Sequence, residues 1–93
     1  MEMKPKKMHT VVGIHIPNRF NQAPGVQKIL TEYGCSIKTR LGLHETNKEY
    51  CAINGLILLE MFGPENDMKE MVTKLKALDA GIEVQQMIFK HKG

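Results

Sequence analysis

The first hydrophobic pattern along the chain is an alternation that predicts a β-strand over Met8–Ile16. One phase of the alternation is aliphatic and β-branched, which suits the buried side of a sheet, and the other is mixed. The aliphatic phase holds Val12, Ile14 and Ile16, and the mixed phase holds Val11, Gly13 and His15.

A helical repeat follows after a polar segment. Its hydrophobic positions are spaced at i, i+3, i+4 and i+7, which predicts one apolar stripe on a helix. They are Val26, Ile29, Leu30 and Tyr33. We predict that this helix of about ten residues begins at Pro24, where a missing N–H is tolerated, and ends at Gly34 in a left-handed conformation.

The remaining chain predicts two strands, a second helix and a last strand. The strands cover residues 35–43 and 51–62, and the charged segment HETNKEY joins them as a hairpin. Both phases of the 51–62 strand are largely apolar, as expected for a central strand. The first phase holds Ile53, Ile57, Leu59 and Met61, and the second holds Asn54, Leu56, Leu58 and Glu60. The second helix carries Met68, Met71, Val72, Leu75 and Leu78 and ends at Gly81, and the last strand covers residues 82–89.

The element order β-α-β-β-α-β predicts an α+β, ferredoxin-like fold. It is a four-stranded antiparallel sheet with two helices on one face. Residues 1–7 form a basic tail, and residues 8–93 form a single domain, since 93 residues support one modest core.

The second face of such a sheet is uncovered in a monomer. Several residues of the outward phases are apolar, and an exposed apolar patch marks an association surface. We therefore expect a homodimer or a higher homo-oligomer, formed through this face or by edge-strand pairing. The residues expected at the interface are Val11, His15, Asn54, Leu56 and Leu58.

Composition and charge narrow the class of protein further. Hydrophobic residues make up 42% and charged residues 25%, which is ordinary for a globular chain. No apolar run approaches the length of a membrane span, and the N-terminus does not read as a secretion signal, so we expect a cytoplasmic protein without membrane contact. The net charge of +3 is mild and no nucleic-acid motif is visible, so no direct nucleic-acid binding is expected.

The segment between the first strand and the first helix is the leading candidate for a ligand site. Backbone N–H groups at a helix start can hold a carboxylate or phosphate. Here the amides around Ala23, Pro24 and Gly25 would hold the anion, with side-chain help from Asn18, Arg19, Asn21 and Gln22. The alternative is that Pro24-Gly25 only starts the helix.

A metal site is a second candidate. His15, His44 and Cys51 come at three strand ends that converge in the expected sheet, and imidazole and thiolate bind zinc, nickel or copper. Cys51, however, lies in the inward phase of its strand whereas both histidines lie in outward phases. The alternative is two surface histidines and a buried thiol, and no cofactor is expected.

Catalysis has the least support from the residues. Cys35 has no nearby histidine to activate it, and helix capping accounts for Glu65 and Asp67. We expect a protein that is not an enzyme.

The segment APGVQKILTEYGCSI resembles the opening of an ACT domain. A Pro-Gly pair there precedes a helix with a leucine/isoleucine stripe, then a glycine and a strand. The matching residues are Pro24, Gly25, Val26, Ile29, Leu30, Gly34 and Ile37. Asn21-Gln22-Ala23 stands where ACT domains often place an acidic residue, so an effector need not be an ordinary amino acid.

A resemblance that covers almost the whole chain after the tail is to small ACT-like proteins, the iron-only hydrogenase system regulators. It rests on RLGLHETN, followed by an apolar strand, and on DMKEMVTKLKALDAGIEVQ. The shared positions are Arg40, Gly42, Glu45, Asn47, Lys74, Leu75, Leu78, Gly81, Ile82 and Val84. The resemblance implies a ferredoxin-like fold, oligomerisation and a regulatory or sensing role akin to the nickel-sensing domain of a nickel-responsive repressor. With no DNA-binding domain attached, direct control of transcription would need a partner protein.

These observations favour a regulatory ACT-like module that oligomerises through its sheet and binds a small anionic or amino-acid-like effector near residues 18–25. Asn54 and His15 would help to set its specificity. Two other hypotheses stay open. One is a metal-responsive module that uses His15, His44 and Cys51, and the other is a structural dimerising adaptor.

Overall fold

A computed structural model describes residues 8–43 and 54–90, except for the side chains of Met8, Arg19 and Leu43. Four strands and two helices follow one another in the order β-α-β-β-α-β. They are β1 (Met8–Ile16), α1 (Arg19–Glu32), β2 (Ile37–Leu43), β3 (Gly55–Met61), α2 (Glu65–Leu78) and β4 (Glu83–Lys90), with a 3₁₀ turn at Gly34–Ser36.

The four strands form one antiparallel sheet in the order β2-β3-β1-β4. The two longest-range pairings join β1 to β3 and to β4, so the first strand lies inside the sheet and β2 and β4 are its edges. The predicted ferredoxin-like α+β fold is confirmed.

One face of the sheet packs against both helices. The aliphatic phase of β1 and the odd-numbered residues of β3 meet the apolar stripes of α1 and α2 in a single core. Its members are Val12, Ile14, Ile16, Val26, Leu30, Ile57, Leu59, Met61, Met68, Met71, Val72, Leu75 and Ile82. The alternation of β1 and β3 therefore predicted the inner face correctly, because side chains alternate strictly along a regular strand.

Helix α1 starts five residues earlier than predicted. Asn18 caps it, since its side-chain oxygen accepts hydrogen bonds from the backbone N–H groups of Phe20 (3.1 Å) and Asn21 (3.3 Å). Asparagine is among the best N-capping residues, and this cap converts the predicted polar loop into the first turn. Pro24 thus lies inside the helix rather than at its start, and the predicted start at Pro24 is wrong.

The end of α1 also differs from the prediction. Tyr33 is the C-cap, and the chain continues into the 3₁₀ turn without a left-handed glycine. Among the described residues only Gly63 has a positive φ, at 96°, so the predicted left-handed stop at Gly34 is wrong. The 3₁₀ turn also delays the second strand from residue 35 to Ile37.

A β-bulge in β2 changes which residues share a face. Ile37 pairs with Met61, whereas Thr39 pairs with Glu60, so Lys38 is an extra residue in the ladder. Ile37 consequently packs against the core while Leu41 is exposed on the opposite face. Strict alternation over residues 35–43 predicts that Ile37 and Leu41 share one face, and the bulge makes that prediction wrong.

The second half of the chain follows its hydrophobic pattern closely. Helix α2 buries four of its five predicted stripe residues, and Leu78 remains 42% exposed at its end. The predicted hairpin HETNKEY and the start of the 51–62 strand lie outside the described residues, as does the 1–7 tail.

Candidate functional site

The junction between β1 and α1 is closed by reciprocal hydrogen bonds. The Asn18 side chain accepts from the first turn of α1, while the Asn18 backbone N–H donates to the Gln22 side chain at 2.9 Å. Free N–H groups at a helix start are what attract an anion. Here three of these donors, the N–H groups of Asn18, Phe20 and Asn21, already bind side chains of the chain itself.

The same junction is tied to the turn between α2 and β4. Asp79 accepts a hydrogen bond from the Gly81 backbone N–H at 2.8 Å. Two hydrogen bonds lower the pKa of the Asp79 carboxyl below its usual value. The one from the Gln22 side chain has the larger effect, and the one from the Gly81 backbone N–H has the smaller. A polar cluster of Asn18, Gln22, Asp79 and Gly81 therefore connects two loops at one end of the sheet.

The predicted anion seat at Ala23, Pro24 and Gly25 lies in the second turn of α1, not at the helix start. Pro24 has no N–H, and the helix interior uses its amides in i→i−4 hydrogen bonds. The prediction of free amides at these three residues is therefore wrong.

Gly25 has a packing role at the contact between the two helices. A Cβ atom built there would come within 2.9 Å of the Leu78 Cδ2 atom. Glycine is the residue that lets α1 approach the end of α2 this closely. The alternative that Pro24-Gly25 only starts the helix is therefore wrong as well, since both residues lie inside α1.

The other predicted ligand residues remain at the surface of this junction. Asn21 is exposed, Asn18 and Gln22 are half-buried, and Arg19 is the first residue of α1. Ligand binding at residues 18–25 stays a prediction, now with side chains rather than the Ala23–Gly25 amides as its donors.

The predicted metal ligands are only partly within the described residues. His15 is exposed on β1, where it pairs in register with Leu56 and Glu83, and His44 and Cys51 lie outside the described residues. Across residues 8–43 and 54–90, no group of three histidine, cysteine, aspartate or glutamate side chains could hold a metal ion.

The face of the sheet that the helices leave uncovered, called the open face below, is the most distinctive surface of the described chain. Its side chains are those that alternate with the core positions of each strand. They are His9, Val11, Gly13 and His15 of β1; Thr39 and Leu41 of β2; Leu56, Leu58 and Glu60 of β3; and Glu83, Gln85, Met87 and Phe89 of β4.

The structure places four of the five predicted interface residues on this face and adds three large apolar ones. Val11, His15, Leu56 and Leu58 are on it, and Asn54 precedes β3. Leu41, Met87 and Phe89, which were not predicted, are 51%, 56% and 54% exposed. The alternation of β4 could have indicated Met87 and Phe89, whereas Leu41 was hidden by the bulge at Lys38.

A small polar cluster sits at one end of the open face. The His9 Nδ1 atom lies 3.3 Å from the Glu60 carboxylate, and the Thr39 hydroxyl donates to the same carboxylate at 3.4 Å. These three residues come from three different strands, so only the strand order of the sheet brings them together.

On the helix side, a shallow groove of about 570 Å³ lies between the end of α1 and the outer surface of α2. Lys74 pairs there with Glu32 and lies 5.1 Å from the centre of the Tyr33 ring. This ion pair lowers the pKa of Glu32 and raises that of Lys74. The groove is open, and Lys74 and Glu32 already pair with each other, so it has less to offer a ligand than the junction.

Comparison with known proteins supports the fold and leaves the family open. No known protein-family model matches the chain, and no curated protein matches its sequence. The uncharacterized protein TM1266 from Thermotoga maritima is similar in structure, with a TM-score of 0.73 and 18% identity over 90% of this chain and 100% of that one.

Two further solved structures share the architecture at lower similarity. One is CPII, a nitrogen regulatory PII-like protein from Thiomonas intermedia K12 bound to ADP, AMP and bicarbonate, with a TM-score of 0.55 and 9% identity over 95% of this chain and 99% of that one. The other is CutA1 from Oryza sativa, with a TM-score of 0.55 and 14% identity over 95% and 84%. These likenesses show a shared small ferredoxin-like α+β fold.

Within the described residues, no helix is both long and apolar enough to cross a membrane.

Proposed function

We propose that this protein is a non-enzymatic regulatory or sensing module of the ACT-like kind, which self-associates through the open face of its sheet. The observation that carries the proposal is the row of exposed apolar side chains on that face. The sequence resemblance to iron-only hydrogenase system regulators supports the same class of protein.

The apolar content of the open face is large enough to drive association. Six apolar side chains lie on it in each copy, namely Val11, Leu41, Leu56, Leu58, Met87 and Phe89. Since these side chains are already partly covered by their neighbours, each would contribute about 1 kcal/mol on burial. Twelve of them in a dimer offset much or all of the roughly 4–15 kcal/mol that association costs.

Two neighbouring residues of β4 provide a matched test of this interface. Met87 is 56% exposed on the open face, and Ile88 is 44% exposed on the helix side. In sedimentation-velocity experiments we expect an oligomer for the wild type and for Ile88→Asp, and a monomer for Met87→Asp. An oligomer that both substitutions disrupt would indicate edge pairing through β4, and one that survives Met87→Asp would contradict association through the open face.

We further propose that a small anionic or amino-acid-like effector binds at the β1–α1 junction. The junction presents the polar side chains of Asn18, Asn21 and Gln22 at the end of a central strand. It is also the segment that resembles the opening of an ACT domain. Arg19 would supply the positive charge that an anion requires.

Thermal-shift and calorimetric titrations test the effector. Amino acids, inorganic phosphate, ADP, AMP and bicarbonate are suitable probes, the last three because the PII-like neighbour is bound to them. A bound probe should lose at least about fivefold in affinity, about 1 kcal/mol, in Arg19→Ala. Lys28→Ala, an exposed cation further along α1, is the matched control. If no probe binds while self-association persists, the structural dimerising adaptor becomes the better description.

A further inference from the structure

The charged residues of the open face are unlike those of the rest of the chain. The protein has 13 lysines and arginines, yet none occupies a described register position of this face. Its ionisable side chains are two histidines and two glutamates: His9, His15, Glu60 and Glu83.

These four residues stand in two histidine–glutamate groups at opposite ends of the face. His9 contacts Glu60 at one end, and His15 pairs in register with Glu83 at the other. Val11, Leu41, Leu58 and Met87 lie between the levels of His9 and His15 along the strands, and Phe89 and Leu56 lie beside these two histidines. This arrangement is that of a protein interface, with an apolar centre and a polar rim.

Three permanent cations of the described edge strands lie outside this pattern. Lys38 is the bulged residue of the edge strand β2, next to Thr39, which contacts Glu60. Arg40 donates a hydrogen bond to Gln27 of α1, and Lys90 pairs in register with Met8, in the phase opposite to Phe89. Lysine and arginine keep their charge between pH 5.5 and 8.5, so none of these three can make the charge of the surface depend on pH in that interval.

Histidine is the side chain whose charge changes in that interval. With both imidazoles neutral, the four residues carry two negative charges, and with both protonated they carry none. Two copies stacked through this face therefore oppose like charges when the imidazoles are neutral and meet as neutral surfaces when the imidazoles are protonated.

We propose that the open face is a pH-responsive contact with a second copy of this chain, in which protonation of His9 and His15 favours association. The inference rests on the self-association proposed above and adds its regulation. Bringing two glutamates of each copy into a less hydrated interface costs free energy unless a cation accompanies each of them. Protonated His9 and His15 supply those cations, so dimer formation takes up protons and weakens as the pH rises.

Sedimentation equilibrium of the full chain at pH 6.0 and 8.0 measures the effect. We expect the dimer dissociation constant at pH 6.0 to be at least about tenfold lower than at pH 8.0, because dimer formation takes up protons. The difference should shrink in high salt, since the groups lie at the solvent-exposed rim.

Substitutions make the expectation specific. In Glu60→Gln/Glu83→Gln the face is neutral when both imidazoles are neutral and positive when they are protonated, so the pH dependence should reverse its sign. In His9→Gln/His15→Gln the dissociation constant should be the same at both pH values. Glu70→Gln, which removes an exposed carboxylate from α2, should keep the wild-type dependence.

The contrary outcomes separate this inference from the proposed function. A dimer with a pH-independent dissociation constant overturns the inference and leaves self-association in place. A dependence that survives His9→Gln/His15→Gln also overturns it, because the protons then bind elsewhere, for example at His44 or His91. A chain that is monomeric at every pH contradicts the self-association itself, and the inference with it.

Discussion

The two faces of the sheet share the same four strands and differ in almost every other respect. On the covered face Val12 and Ile14 are fully buried and Leu59 is 1% exposed. On the open face, Leu56 of β3 is 37% exposed and Met87 of β4 is 56% exposed. The buried side chains of the covered face are apolar except for Thr10, whereas the open face mixes apolar residues with histidine and glutamate.

The difference indicates that the two faces have different roles. A face that only needed to meet water would carry more charge, and one that only needed to fold would be covered by the chain itself. The covered face supplies much of the free energy of folding, and the open face is the surface through which we propose that the protein associates. Substitutions on the two faces should therefore affect different measurements.

The largest expected effect separates two leucines of β3. Leu59→Ala should lower the free energy of unfolding by about 2–5 kcal/mol, because it removes buried methyl groups and leaves a cavity. Leu56→Ala, at 37% exposure, should cost about 1 kcal/mol or less. Urea denaturation checks both values, at protein concentrations where the midpoint does not depend on the protein concentration. Equal losses in the two variants would contradict the difference between the faces.

The helix layer that covers the inner face offers a second test. Gly25→Val places a branched side chain against Leu78, where a Cβ atom alone would be 2.9 Å away. We expect a loss of about 1–3 kcal/mol from the resulting overpacking. Gly34→Ala is the control, since nothing lies within 4 Å of its Cβ position and it should be tolerated. Full stability in Gly25→Val would show that the helices can separate without exposing the core.

The cap of α1 should have a smaller effect. Asn18→Ala removes the acceptor for the backbone N–H groups of Phe20 and Asn21 and should cost about 1 kcal/mol. Asn18→Asp keeps an acceptor at the same place and should remain close to the wild type in thermal unfolding. If both variants lose the same stability, the cap does not determine where this helix begins.

The smallest effect is the acid dependence that comes from Asp79. Its pKa is lowered in the folded protein, chiefly by the hydrogen bond from Gln22. The ionised carboxylate therefore stabilises the fold above the ordinary pKa of an unfolded aspartate, near 4, and this contribution is lost as the pH falls through the lower folded-state value. The melting temperature of Asp79→Asn should lie below that of the wild type at pH 6 and approach it at pH 3. A constant difference across this range would contradict the assignment.

The fold was predictable because its strongest signals are local. The alternation of Met8–Ile16 and the stripe of α2 each repeat with the period of their element, and burial on one side follows from that period. The element order then leaves few possible topologies for a chain of this length. The ferredoxin-like arrangement follows from these two facts.

The candidate site was predictable only in outline. Asn18 could have been recognised as a cap, since Pro17-Asn18 ends the strand, but Pro24-Gly25 gave a competing signal for a helix start. The helix starts at the Asn18 cap, where the Gln22 side chain forms hydrogen bonds with the Asn18 backbone N–H and with Asp79. The bond to Asp79 links segments that are far apart in sequence. No periodicity contains that information.

The sequence by itself determined which residues are buried in β1, β3 and α2, because hydrophobic spacing at 2 or 3.6 residues selects a face wherever the element is regular. The tertiary structure decided the rest of the open face. Pairing of β2 with β3 placed the bulge at Lys38 and turned Leu41 outward, and the order β2-β3-β1-β4 brought Thr39, Glu60 and His9 together. The physical reason is that strand register and strand order are fixed by hydrogen bonds between distant segments, which local patterns do not encode.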